Sequence, residues 1–250
     1  MNQRTILITR PRPEADETAR QVQLAGGLPW VEPLLKIVPP DDPALLRQAL
    51  NRWQDYDGGL IVTSVNGARA LLDGLPAGAR PLLWAVGDRT AALLRQAGHR
   101  VRVPQQAADA ALLAEEIMAD GHNQRRLLWL AAELAQQGLS ERLRAAGWVV
   151  DQVVAYRAEL VTSWPTEVTD ALQQGTINAV LLFSSRTAQA LIELLPAPVA
   201  TALPSPVCVA VLSPAIARVM AQAGRPADVV ASRPNSAQLL ADLQQYERCH

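Results

Sequence analysis

The chain has 250 residues and a formal net charge of −1 at pH 7. This length is sufficient for one large domain or two smaller ones that fold without structural metals or disulfides. The charge argues against a general nucleic-acid-binding protein, because affinity for a phosphate backbone requires a surplus of cations.

Short apolar runs alternate along the chain with amphipathic stretches. The first run, "TILITR" (5–10), is followed by a helical pattern with an acidic start at 13–27. In chain order, further strands are predicted at 59–64, 82–87, 99–104, 126–131 and 149–156, and further helices near 43–53, 66–75, 88–98, 108–120 and 138–147. The pattern resumes at 164 and continues to the end. This alternation predicts an α/β fold with parallel sheets that helices cover on both faces.

Three blocks of the chain occur twice, in the same order. "AGGLPWVEPLLKI" (25–37) is similar to "RAAGWVVDQVVAY" (144–156), and "VTSVNGARAL" (62–71) is similar to "LFSSRTAQAL" (182–191). In the third pair, "LLWAVGDRTAALLRQAG" (82–98) is similar to "CVAVLSPAIARVMAQAG" (208–224). The repeat predicts two similar parallel-sheet domains, flavodoxin-like or Rossmann-like, from an internal duplication.

Two segments at corresponding places in the repeat are predicted to connect these domains. The prolines of "IVPPDDP" (37–43) interrupt both helix and strand, and "YRAELVTSWPTE" (156–167) holds the second place. We therefore expect a discontinuous domain of residues 1–37 and 161–250, and a second domain of residues 41–153. Residues 38–40 and 154–160 are the predicted linkers.

Motifs for metal, nucleotide or nucleophilic catalysis are absent from the sequence. His99, His122 and His250 form no HExxH motif, and no GxSxG, Walker or GxGxxG motif is present. The two cysteines, Cys208 and Cys249, lack metal-ligand spacing, which favours a reducing compartment. No segment has the length of a membrane span or a signal peptide, so we expect a cytoplasmic protein without metal or cofactor.

Polar residues follow the predicted strands, at the edge where open α/β sheets bind ligands. The candidate substrate-binding residues are Arg10, Thr63, Ser64, Asn66, Asp88, Thr90, Ser184, Ser185 and Ser213. For the Ser, Thr and Asp residues among them, helix capping without any ligand is the alternative. As a set facing one cleft between twin domains, they favour an extended, oxygen-rich small molecule.

Tyr156 closes the apolar run of "QVVAYRAEL" (152–160), at the second predicted connection. The residues alone leave two interpretations open. In the first, Tyr156 is a half-buried strand residue whose hydroxyl faces water, and Arg157 is a solvated linker charge. In the second, the phenol lies over the cleft and donates a proton to a leaving group.

An ordered set of short motifs resembles the uroporphyrinogen-III synthase family over essentially the whole chain. They are "LITRP" (7–11), "PLLKIVPP" (33–40), "VTSVNGARAL" (62–71), "WAVGDRTAALLRQAG" (84–98), "RLRAAGWVVDQVVAYR" (142–157), "LLFSSRTAQAL" (181–191), "VAVLSPAIARVMAQAG" (209–224) and "DVVASRPNSAQLLADL" (228–243). The resemblance implies a cytoplasmic monomer without a cofactor, built from two α/β domains joined by a two-stranded linker.

The resemblance also implies a reaction. Hydroxymethylbilane, a linear tetrapyrrole with eight carboxylates, would be cyclised to uroporphyrinogen III with loss of water and inversion of ring D, in the synthesis of haem, sirohaem and cobalamin. Ring A would lose its hydroxyl to give an azafulvene, and attack by the substituted carbon of ring D would give a spiro intermediate. The family's catalytic tyrosine falls on Tyr156. The implied partners are this substrate and, transiently, the preceding enzyme of the pathway, with no nucleic acid and no membrane.

One departure from the family pattern keeps alternatives open. Ala131 and Ala132 stand where the family often has Arg-Gly, which predicts a weaker anchoring site for substrate. A synthase-like protein without catalytic activity is therefore one alternative. A regulatory small-molecule-binding protein with the same two-domain fold is another.

Overall fold

A computed structural model describes residues 3–104, 110–120, 125–195, 198–204 and 206–249. His122, His250 and the side chain of Cys249 lie outside this description. The chain divides into two compact units: unit 1 comprises Met1–Lys36 and Glu159–His250, and unit 2 comprises Ile37–Ala158. Among the described residues, no helix has the length and apolarity that a bilayer crossing requires.

The elements follow the predicted alternation of strands and helices. The described strands are β1 (Thr5–Ile8), β2 (Leu28–Val31), β3 (Leu35–Val38), β4 (Gly59–Val62), β5 (Leu83–Ala85), β6 (Val101–Arg102), β7 (Arg126–Ala132), β8 (Val149–Leu160), β9 (Ile177–Leu182), β10 (Cys208–Val211) and β11 (Val229–Val230). The described α-helices are α1 (Glu14–Leu24), α2 (Pro43–Asn51), α3 (Val65–Gly74), α4 (Asp88–Gln96), α5 (Ala110–Ala119), α6 (Gly138–Ala145), α7 (Thr166–Gln173), α8 (Ser185–Leu194), α9 (Val199–Ala202), α10 (Pro214–Gln222) and α11 (Ser236–Cys249). A 3-10 helix spans Trp53–Asp55.

Unit 1 contains a parallel sheet in the order β2-β1-β9-β10-β11. Successive side chains of β1 enter different cores: Ile6 and Ile8 pack with α1 and α11, and Leu7 packs with α7, α8 and α10. Both faces are therefore buried, which explains why this strand is apolar without alternation. The predicted α/β class with parallel sheets is confirmed.

Unit 2 contains a sheet in the order β3-β8-β7-β4-β5-β6, and its pairs from β8 to β6 are parallel. Leu127 and Trp129 of β7 pack with α5 and α6 on one face. Leu128 and Leu130 pack with α2, α3 and α4 on the other face. As in unit 1, helices cover the sheet on both sides.

The sequence repeat corresponds to equivalent elements in the two units. β7, α6 and β8 take the places in unit 2 that β1, α1 and β2 take in unit 1, and β4, β5 and β6 correspond to β9, β10 and β11. The sheet of unit 1 thus has the strand order 2-1-3-4-5 of flavodoxin-like folds. In unit 2, five strands take equivalent places in a different chain order, and β3 is added at the edge beside β8. Ser64 and Ser184, aligned in the repeat, cap α3 and α8 in the same way: each Oγ accepts from a backbone N–H at 3.0 Å.

The predicted strands differ from those observed by a few residues at their ends, and two of them differ most. The strand predicted at 149–156 continues to Leu160, and the strand predicted at 99–104 is limited to Val101–Arg102. β8 lies between β7 and β3 in the sheet order, so its polar C-terminal residues have a strand neighbour that the local sequence does not reveal. The boundaries between the units fall inside β3 and β8, while the predicted domain bounds remain a prediction.

Candidate functional site

Tyr156 follows an irregularity in the pairing of β8 with β7. Ala131 is opposite Val154 and Ala132 is opposite Tyr156, so Ala155 is the extra residue of a β-bulge. Regular alternation would place Ala155 and Tyr156 on opposite faces of the sheet. Instead, both pack against the core that α2, α3 and α4 cover. The bulge therefore turns the half-buried tyrosine toward α2 and α3.

A pocket of about 470 Å³ within unit 2 lies beside Tyr156. It is formed by α2, by α3, by the segment that begins at the end of β3 and by the end of β8. Its polar lining consists of Arg47, Asn51, Asn66, Arg69, Asp73 and Tyr156, and its apolar lining includes Val38, Pro43, Leu46, Ala70 and Ala155. Tyr156 thus lines a pocket that combines an apolar floor with charged side chains.

The charged groups of this pocket are held in different ways. Nη1 of Arg69 donates to Oδ1 of Asn66, one turn earlier on α3, at 2.8 Å. Arg47 is exposed on α2 and forms no ion pair with any residue that the structure describes. Asp73 is exposed one turn beyond Arg69. Two guanidinium groups and one carboxylate leave the pocket with a net positive charge, which favours an anionic ligand.

The other predicted binding residues of unit 2 lie on the turns after β4 and β5. Oγ of Ser64 caps α3 by accepting from the Gly67 N–H at 3.0 Å, and Oγ1 of Thr63 accepts from Nε1 of Trp129 at 3.4 Å. Asp88 is exposed in the first turn of α4, and Thr90 is buried. Of the predicted binding residues, the structure places Asn66 in the pocket with Tyr156. The capping alternative holds for Ser64, and ligand roles for these residues stay predictions.

In unit 1, the predicted serines lie at the N-terminal ends of two helices. Oγ of Ser184 accepts from the Thr187 N–H at 3.0 Å and caps α8. Ser185 is exposed at the first position of the same helix. Ser213 occupies the N-cap position of α10, where its side chain makes no capping hydrogen bond. The backbone N–H groups at these helix starts are suited to anions.

Arg10 lies after β1 in unit 1, and its guanidinium contacts Phe183, Ser236 and Thr18. Its guanidinium carbon is 4.3 Å from the centroid of the Phe183 ring, and its Nη1 donates to Oγ of Ser236 at 3.0 Å. A cation over an aromatic face is attracted by the ring quadrupole. Sequence reasoning missed Phe183, although it is the only phenylalanine of the chain and directly precedes the serine turn of "LLFSSRTAQAL".

A second pocket of unit 2, about 460 Å³ in volume, shares Pro40 with the first. It contains Tyr56, whose pKa is raised by burial and by the negative charge of Asp151. Asp151 pairs with Arg126 at 2.8 Å, and this arginine also lies 5.6 Å from the centroid of the Tyr56 ring. Because a raised pKa makes Tyr56 a weaker acid than an ordinary tyrosine, this phenol is poorly suited to proton donation.

Metal and thiol chemistry find no site in the described part of the chain. There, no group of three or more His, Cys, Asp or Glu side chains could hold a metal ion. Cys208 is buried in β10, and burial together with the charge of Asp228 raises the pKa of its thiol to about 12. At neutral pH the thiolate, which is the nucleophilic form, is therefore scarce.

Comparison with known proteins gives a consistent result. A family model described as uroporphyrinogen-III synthase HemD matches residues 16–241. A uroporphyrinogen-III synthase of Synechococcus elongatus is 26% identical over 198 residues, which cover 77% of this chain and 75% of that protein. The structure of uroporphyrinogen-III synthetase from Helicobacter pylori matches with a TM-score of 0.63 and 17% identity, over 97% of this chain and 100% of that one. A mutant uroporphyrinogen III synthase from Thermus thermophilus matches with a TM-score of 0.59 and 16% identity, over 99% and 100%. At these identities, the two structures establish a common fold.

Proposed function

Because this chain belongs to the uroporphyrinogen-III synthase family, we propose that it cyclises hydroxymethylbilane to uroporphyrinogen III, with loss of water and inversion of ring D. This is the function that the sequence motifs imply, and the family match over residues 16–241 confirms the resemblance itself. The activity is that of a cyclising lyase of tetrapyrrole biosynthesis.

The position of Tyr156 is the observation that carries the proposed mechanism. Its phenol shares a pocket with two guanidinium groups and an apolar floor, a combination that suits a pyrrole ring with carboxylate arms. The phenol donates a proton to the leaving hydroxyl, the C–O bond breaks and water departs, which leaves an azafulvene. Ring D later loses one proton as it regains aromaticity, and this proton restores the phenol. The sum is the loss of one water, without oxidation or reduction, so the reaction requires no cofactor.

We expect that orientation of the substrate contributes more to catalysis than proton donation by Tyr156. Without orientation, the reactive azafulvene closes on the free end of ring D and gives the uninverted I isomer. Holding a flexible chain in the geometry for attack by the substituted carbon is worth up to about 7–11 kcal/mol in well-ordered cases. Formation of the III isomer is therefore the product signature of an ordered site.

We propose that carboxylates of the substrate bind to polar groups at the strand ends described for each unit. The ligands in this proposal are the guanidinium of Arg10 and the polar turns described above, including the backbone N–H groups after Thr63, Ser64, Ser184 and Ser213. The fixed position of Arg10 supports its role, because a preorganised cation loses little freedom on binding an anion. The methyl side chain of Ala131 cannot donate a hydrogen bond, so no side-chain donor is available where the family often has arginine.

We further infer that the enzyme acts as a cytoplasmic monomer and receives its substrate by transient contact with the preceding enzyme. The family resemblance supports this inference. The chemical lability of the substrate supports it as well, because free hydroxymethylbilane closes without inversion.

The proposal is tested by supplying the purified protein with freshly made hydroxymethylbilane and separating the uroporphyrinogen isomers. We expect the III isomer to predominate, and formation of only the I isomer would overturn the proposed function. Tyr156→Phe should lower kcat by about 100-fold without abolishing turnover, because orientation persists. Tyr56→Phe, which removes the phenol of the second pocket, is the matched control and should retain the wild-type rate. An unchanged rate for Tyr156→Phe would remove this residue from the mechanism.

A further inference from the structure

The pocket beside Tyr156 is a groove between two helices. The residues that face it are Pro43, Leu46, Arg47 and Asn51 of α2, and Asn66, Arg69, Ala70, Asp73 and Gly74 of α3. Both sets have the three- and four-residue spacing of one helix face. The helices come close at Gly74, where a Cβ atom would lie 2.6 Å from Cδ1 of Leu50. We call this space the α2/α3 groove; it is closed at Gly74 and reaches Tyr156 at its other end.

Two guanidinium groups line this groove, one from each helix. Arg47 is the fifth residue of α2 and Arg69 is the fifth residue of α3. At 1.5 Å per residue, each α-carbon lies about 6 Å along the axis from the first residue of its helix. α3 begins at the C-terminal edge of the sheet, the edge at which Tyr156 also lies. The groove therefore presents a phenol at its mouth and a cation on each wall.

The rest of the lining is suited to a flat apolar body. Leu46, Ala70 and Ala155 belong to the apolar floor of the groove. Asp73 is the one acidic side chain among the described residues that line the groove, and it lies toward the closed end, beyond Arg69. Asn66 holds Arg69 through the 2.8 Å hydrogen bond from Nη1. A ligand that fits these features has an apolar ring and two anionic arms, one for each guanidinium group.

We infer that the α2/α3 groove is the subsite for the terminal pyrrole ring that carries the hydroxymethyl group, with its acetate and propionate arms bound by Arg47 and Arg69. This inference rests on the proposed function and assigns one ring of the substrate to one place in unit 2. The two carboxylates of this ring match the two guanidinium groups, and its apolar face packs on the floor. In this position the hydroxymethyl group points toward the mouth of the groove, where Tyr156 donates its proton.

Arg47→Gln is the sharpest test, because Arg47 is exposed and its replacement breaks no ion pair within the described ranges. A hydrogen bond to a substrate carboxylate stabilises the bound substrate and the transition state equally. Its loss therefore raises KM and leaves kcat nearly unchanged. For a charge-assisted hydrogen bond we expect KM for hydroxymethylbilane to rise about tenfold or more. Arg69→Gln should change KM in the same direction. Arg100→Gln is the matched control, since Arg100 is an exposed arginine of the same unit that does not line the groove.

A second measurement tests the subsite by competitive inhibition with a single pyrrole. Porphobilinogen is a single pyrrole with one acetate and one propionate arm, so it should inhibit the wild-type enzyme competitively, and Arg47→Gln should weaken this inhibition about tenfold. 2-(Aminomethyl)pyrrole, which lacks both arms, should not inhibit. If the wild-type protein forms only the I isomer, the proposed function fails. If it forms the III isomer while both glutamine variants keep the wild-type KM and inhibition, the subsite is wrong and the proposed function stands.

Discussion

Arg157, near the end of β8, forms an ion pair and a hydrogen bond with the segment that follows β3. Its guanidinium lies 3.0 Å from the carboxylate of Asp41, and its Nε donates to the carbonyl of Pro39 at 3.3 Å. Pro39 and Pro40 both line the pocket that contains Tyr156. Arg157 is therefore more than the solvated linker charge of the first sequence interpretation, because it holds one wall of this pocket.

Replacing Arg157 should affect activity more than stability. Asp41 is 76% exposed, and exposed ion pairs contribute at most about 1 kcal/mol. We expect Arg157→Ala to lower Tm by no more than about 4 °C. In contrast, kcat/KM should fall by about tenfold, because a wall displaced by about 1 Å misplaces the substrate.

The control for this prediction is Asp41→Asn, which removes the ion pair and leaves the bond to Pro39. It should give a smaller loss of kcat/KM than Arg157→Ala. Thermal melts and initial rates on the same preparations separate the two effects. A loss of activity that merely follows the fraction of folded protein would contradict a positioning role for Arg157.

Phe183 should determine how well Arg10 binds a carboxylate. Phe183→Leu removes the aromatic face 4.3 Å from the guanidinium carbon and keeps an apolar side chain of similar size. A cation–π contact of this kind is worth about 0.5–1 kcal/mol, so we expect KM to rise about two- to fivefold with kcat nearly constant. Phe183→Tyr retains the ring face and should restore the wild-type KM. Equal KM values for the leucine and tyrosine variants would show that the ring does not position Arg10.

Most of the fold could be predicted because its signals are local. The apolar run "TILI" and the helical period after it predict a βα unit wherever they occur, and the structure has β1 and α1 at these places. The internal repeat predicted equivalent elements, and the caps at Ser64 and Ser184 show the correspondence at the level of single hydrogen bonds. The strand β6 was overestimated because "HRVRVP" alternates without finding a partner strand over its whole length.

The candidate site was less predictable because its geometry depends on contacts between distant segments. Nothing in "VVAY" shows that Ala155 forms a bulge, since the extra residue exists only relative to β7. Arg47 and Arg69 read as ordinary surface arginines until the packing of α2 beside α3 places them in one pocket.

Stability should depend on pH through His99. Burial, assisted by the positive charge of Arg80, lowers the pKa of His99 in the folded chain. His99 therefore binds a proton at a higher pH in the unfolded chain than in the folded chain. The free energy of unfolding falls as the pH drops below the pKa of His99 in the unfolded chain, about 6.5. We expect the free energy of unfolding in urea to decrease from pH 7.5 to pH 5.5, and to decrease less in His99→Gln. Identical decreases in the two proteins would exclude His99 as the cause.

Arg225 and Asp228 belong to one buried hydrogen-bond network. Their contributions to the free energy of unfolding should therefore not be additive. Arg225 is 8% exposed, and its Nη2 donates to the Val207 carbonyl at 2.6 Å and to Oδ2 of Asp228 at 2.8 Å. The same carboxylate oxygen accepts from the Val209 N–H at 2.8 Å. Loss of the arginine leaves a partly buried carboxylate without its cation, which costs about 3–5 kcal/mol in comparable buried pairs.

We therefore expect Arg225→Leu to reduce the free energy of unfolding by about 3 kcal/mol or more. Adding Asp228→Asn should reduce it by less than the sum of the two single changes, because the asparagine retains an oxygen for Val209 and removes the unpaired charge. Urea titrations of the two single variants and the double variant measure this coupling directly. Arg218→Ala, at an exposed position of α10, is the control and should stay within about 0.5 kcal/mol of wild type. Strict additivity of Arg225→Leu and Asp228→Asn would mean that the two side chains act independently, despite the 2.8 Å between them.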